Sequence, residues 1–121
     1  MNRQLKSGPG WRLGWDTSAP EFKALVGGDT WAVELTGAEF KDFCQLLEQL
    51  METLEQIKSE LMDEEAITCE AESALLWMEV QGYPQAYNLS FISLKGRRVE
   101  GQWPATAVAQ LAQAAQVLKV F

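Results

Sequence analysis

The chain is predicted to fold as an α+β domain of two antiparallel sheets, each followed by a helix. Three patterns lead there. Apolar residues alternate or cluster between turn residues before residue 36 and again between 67 and 103, as they do in short strands. Between these stretches Phe40, Phe43, Leu47, Leu50, Leu54, Ile57 and Leu61 follow one another at steps of three and four, the spacing of one helix face. After Pro104 the helical spacing returns with Val108, Leu111, Ala115 and Leu118.

The elements follow in order. Trp11–Trp15, Phe22–Val26 and Thr30–Leu35 read as strands, the last two joined by a hairpin at Gly27-Gly28-Asp29. Thr36 and Glu39 form a capping box, in which each side chain takes up a free backbone N–H at a helix start. The helix that follows is expected to run about seven turns. Ile67, Cys69 and Ala71 alternate with Thr68, Glu70 and Glu72, which predicts a half-exposed strand. Ala74–Val80 is nearly all apolar and is expected to lie centrally in its sheet, broken at Gly82-Tyr83-Pro84. Tyr87–Leu94 and Arg97–Trp103 are expected to pair around Lys95-Gly96. Pro104 suits the first position of the last helix, where a missing N–H costs nothing. The strand-then-helix order occurs twice and reads as an internal duplication, with units at about 8–62 and 66–121 in a single domain of 121 residues.

Composition narrows the function classes. At 47% hydrophobic and 22% charged the chain belongs with globular proteins. It has no apolar run of membrane-spanning length and no visible secretory signal, so a soluble, cytoplasmic protein without a membrane partner is expected. The net charge of −7 resides in residues 37–65, with nine acidic and two basic side chains; the remainder balances. An acidic chain is a poor general partner for phosphate, yet its neutral remainder leaves room for a local nucleic-acid surface. Cys44 and Cys69, without any histidine, do not compose a zinc site or a disulfide framework and read as buried thiols. Glu60, Asp63, Glu64, Glu65, Glu70 and Glu72 fit no calcium loop and read as a solvated acidic edge. No base titrates near neutral pH and no phosphate-cradling loop is present, so neither catalysis nor a cofactor is expected.

Gly10-Trp11-Arg12, Leu25–Leu35, Glu60–Glu65, Cys69–Glu72 and Gly96–Pro104 resemble small cyanobacterial proteins grouped as a domain of unknown function. The likeness runs from about residue 8 to the C-terminus. It implies a fold similar to the single-stranded-DNA-binding transcriptional regulators, including the plant Whirly proteins, and no established activity. Whirly proteins carry a lysine-rich string on their DNA-binding edge; the counterpart here, Phe22-Lys23-Ala24-Leu25, has one lysine.

Lys95, Arg97 and Arg98 are the basic cluster, expected on a hairpin tip beside Tyr87, Phe91 and Trp103. Cations that track phosphates beside rings that stack on bases would bind single strands, with Lys23 as a further cation. The plainer reading is a solvated turn. Five tryptophans offer either a docking platform or core packing, and Trp31 and Trp77, with apolar neighbours, are expected in the core. The expected function is therefore a non-enzymatic binding or regulatory module with weak affinity for single-stranded nucleic acid. The alternatives are a protein-interaction module and a carrier of a small molecule or pigment. Self-association through the C-terminal half of the long helix is open.

Overall fold

The computed structural model describes residues 3–118. Four strands, β1 (Arg3–Gly8), β2 (Trp11–Asp16), β3 (Ala24–Gly27) and β4 (Ala32–Leu35), form an antiparallel sheet in that order. Helix α1 (Gly37–Lys58) leads to a second sheet, β5 (Ile67–Glu72), β6 (Leu76–Tyr83), β7 (Ala86–Ser93) and β8 (Glu100–Trp103), again in chain order, and α2 (Ala105–Val117) follows. The expected α+β architecture and its repeated sheet-then-helix order are both present.

Strand β1 is the element that sequence patterning missed. Arg3–Gly8 holds one large apolar side chain, Leu5, and that one is exposed, so the strand carries no amphipathic signal. It is held as an edge by full backbone register with β2, from Arg3 opposite Asp16 to Gly8 opposite Trp11. Its turn is Pro9-Gly10. Proline presets the first turn position, and Gly10 takes a φ of +84° that a side chain would strain.

Helix α1 starts where its capping box places it. Thr36 Oγ1 accepts from the Glu39 N–H at 3.1 Å, and Glu39 Oε1 accepts from the Thr36 N–H at 2.8 Å. It runs for 22 residues, about six turns rather than seven, and Leu61 lies beyond its end. Phe40, Phe43, Leu47, Leu50 and Leu54 are buried. The stripe is covered within the chain: α1 packs on β5 and β6, the sheet that follows it, and against α2. Ser73 Oγ donates to Asp42 Oδ2 at 2.6 Å and ties the β5–β6 turn to the helix. Helix α2 lies on β7 and β2 and against α1, so it bridges the two sheets. Pro104 is its N-cap, one position earlier than expected.

Three further expectations are corrected. Strand β6 does lie between β5 and β7, but it continues through Gly82 and turns at Pro84-Gln85, because Tyr83 pairs with Ala86. Arg97–Val99 are loop rather than strand, since the Ser93 hydroxyl accepts from the Val99 N–H at 2.9 Å and donates to the Arg97 carbonyl at 2.7 Å. The fully buried tryptophan is Trp103, with Trp11 and Trp15 nearly so; Trp31 is half-buried and packs against the core as expected, whereas Trp77, also half-buried, lies outside it. On β6 the residues Leu76, Met78 and Val80 point to the core, and strict alternation then turns Trp77 to the opposite face. Cys44 is buried and Cys69 half-buried, and the two are not joined in a disulfide.

Between β7 and α1, Tyr87 donates its hydroxyl to Met51 Sδ at 3.9 Å. Burial pushes that hydroxyl above its ordinary pKa, and the nearby Glu55 carboxylate adds to the rise. A raised acid pKa stabilises the fold while the group stays protonated, and this contribution is lost as pH rises through the folded value. Urea unfolding between pH 9 and 11 is expected to show a larger loss of stability in the wild type than in Tyr87→Phe; equal losses would contradict this linkage.

Candidate docking face

The basic residues singled out from sequence do not form one surface. Arg97 reaches from the β7–β8 loop back to the first unit. Its guanidinium donates to the Glu34 carbonyl and, at 2.9 Å, to Glu39 Oε1, and it stacks on Phe22 with its central carbon 4.6 Å from the ring centroid. Lys23 donates its ammonium to the carbonyls of Thr17 at 3.0 Å and Ala19 at 2.6 Å. Lys95 and Arg98 remain exposed. The aromatics expected beside this cluster are elsewhere. Phe91 and Trp103 point into the core, and Tyr87 pairs with Gly82 at the far end of β7.

The strings that carried the family resemblance are knitted to one another in three dimensions. Gly10 donates its N–H to Asp29 Oδ1 at 3.1 Å, and Arg12 donates to the carbonyls of Gly28 and Trp31, both at 2.8 Å. The β3–β4 loop is therefore pinned, and Trp31 is seated over Gly101 of β8. A Cβ at Gly101 would lie 2.3 Å from the Trp31 ring, so only glycine admits it. Trp103 donates its Nε1 to the Gly27 carbonyl at 2.8 Å from the other side. These residues join the two units.

Helix packing covers one face of the second sheet and leaves the other to solvent. On that outer face the register aligns Glu72, Trp77, Ile92 and Glu100 in a single row across β5, β6, β7 and β8. The next row reads Glu70, Glu79, Ser90 and Gln102. Glu70 and Glu79 are thus direct cross-strand neighbours of like charge, an arrangement that costs stability. None of the four carboxylates pairs with a cation among the described residues. Two open grooves meet at Ile92. One, of about 470 Å³, is lined by Trp77, Leu94 and Arg98; the other, of about 440 Å³, crosses β8 to Trp31 and Val33 of the first unit.

Sequence alternation had marked Glu70 and Glu72 as outward, but the register that sets Trp77 and Ile92 between carboxylates from two flanking strands was not legible. Among the described residues no three or more acidic or cysteine side chains converge as a metal site, and no helix is long and apolar enough to cross a membrane.

No curated protein matches the chain. A crystal structure of a protein of unknown function from Prochlorococcus sp. NATL2A, described as a DUF155 family member, is 32% identical over 95% of this chain and 98% of its own, with a TM-score of 0.90. The family model for the domain of unknown function DUF1818 matches residues 6–118. With nearly its whole length matched by that model, the chain belongs to the DUF1818 family.

Proposed function

We propose that this protein is a non-enzymatic interaction module that docks a protein partner on the outer face of its second sheet. The observation that carries this reading is the row Glu72, Trp77, Ile92, Glu100, in which an apolar centre is framed by charge on a surface that no helix covers. An apolar anchor within a polar rim is the usual anatomy of a protein interface. The acidic frame also disfavours phosphate, and two of the four cations expected to bind it are held by internal contacts. A second reading, single-stranded nucleic acid, has one observation in its favour: Arg98 lines a groove with Trp77, close to Lys95 in the same loop. The Whirly-like fold that the family resemblance implies would support that reading as well.

The test is recovery of the chain from a native lysate after nuclease treatment. A stoichiometric protein partner is expected with the wild type and lost with Trp77→Ser. That substitution is expected to cost about 1 kcal/mol, since the half-buried side chain lies outside the core and loses its cross-strand neighbours. Recovery of nucleic acid alone, or a partner retained by Trp77→Ser, overturns the reading.

A further inference from the structure

We infer that the partner presents an extended segment of the pattern cation-x-apolar-x-cation, an inference that rests on the docking reading above. The argument begins with spacing. Strands lie ~4.8 Å apart, so the row from Glu72 to Glu100 spans about 14 Å, with Trp77 and Ile92 in its middle. An extended chain rises ~3.3 Å per residue, and its side chains at i, i+2 and i+4 share one face over about 13 Å. A segment crossing the strands therefore sets one apolar side chain between Trp77 and Ile92 and a cation near each terminal carboxylate.

Charge selects the same chemistry. The outer face holds Glu70, Glu72, Glu79 and Glu100, against which stands Arg98 of the β7–β8 loop at the groove beside Trp77 and Ile92, so carboxylates outnumber cations around the anchor. Glu70 opposite Glu79 is unfavourable in the free protein, and a bound cation between them removes that repulsion. Lysine and arginine also bring long apolar stems that cover ring and aliphatic surface beneath their charged heads. An acidic segment meets four carboxylates here, and a wholly apolar one leaves them unpaired at a buried contact.

The probe is a synthetic peptide repeating Lys-Thr-Leu-Thr-Lys, titrated calorimetrically and by amide chemical shift at low and physiological salt. A peptide with Glu in place of Lys serves as the comparison. The Lys peptide is expected to bind with shifts confined to β5–β8, to weaken with salt, and to lose about tenfold in affinity with E70Q/E72Q/E79Q/E100Q. The charge-matched variant E52Q/E55Q/E60Q/E64Q, on and just after α1, is expected to change affinity less than about twofold, which separates the face from bulk acidity. Equal weakening by the two variants, equal binding of the Glu peptide, or no binding of either peptide overturns the partner chemistry. The docking reading survives those results where Trp77→Ser still loses its native partner, and falls with it where oligothymidylate shifts the same face and Trp77→Ser loses no protein.

Discussion

Replacing Trp103 with alanine is expected to lower the unfolding free energy by about 4 kcal/mol, the middle of the range for a large aromatic removed from a core. Trp103 is fully buried, with ring centroids 5.7 Å from both Phe43 and Phe91 and 5.1 Å from Trp31. Those neighbours come from α1, β7 and the β3–β4 loop, so the cavity would open where both units and a helix converge. The substitution also strips the Gly27 carbonyl of its donor. Trp103→Phe separates the two losses: most ring packing stays while the carbonyl is orphaned, and about 2 kcal/mol is expected. Equilibrium urea unfolding provides the measurement. A Trp103→Ala loss below about 2 kcal/mol would show that the surroundings collapse into the space more freely than this packing implies.

Arg97→Ala is expected to cost about 2 to 3 kcal/mol, far more than a surface arginine normally contributes. The difference lies in its partner. Glu39 is only 7% exposed and also receives the Thr36 N–H, so its carboxylate is committed to the helix cap and sits largely away from water. Removing the guanidinium leaves that charge without its cation and uncovers Phe22 at the same time. Lys95→Ala and Arg98→Ala are expected to stay within about 0.5 kcal/mol, because both side chains are exposed. Urea unfolding of the three variants checks the contrast, and equal costs would remove the internal role assigned to Arg97. A nucleic-acid test on this loop therefore belongs on Arg98 and Lys95, since changing Arg97 disturbs the joint between the units before it touches any ligand.

Seen together, the two residues explain why the tryptophan-rich strings mark the fold more than a chemistry. Gly10, Arg12, Asp29, Trp31, Gly101 and Trp103 are occupied with one another through hydrogen bonds and ring contacts. The outer face of the second sheet leaves Trp77, Ile92 and four carboxylates toward solvent among smaller polar residues, and the functional proposal is built from those.

Local features of the sequence were enough for everything governed by short-range physics. The capping box at Thr36 and Glu39, the stripe from Phe40 to Leu54, the alternation of β5 and the helix after Pro104 each depend on neighbours within a few residues. The order of sheets and helices followed from them. Strand β1 lay beyond that reach because an exposed edge strand is held by its partner's backbone, which leaves no trace in side-chain period. Only the tertiary structure decided that α1 covers the later sheet, that Trp77 faces outward, and that Arg97 is spent on Glu39, 58 residues away. Each of these depends on which face of a sheet is left uncovered and on charges brought together across the chain, and neither is encoded in spacing along it.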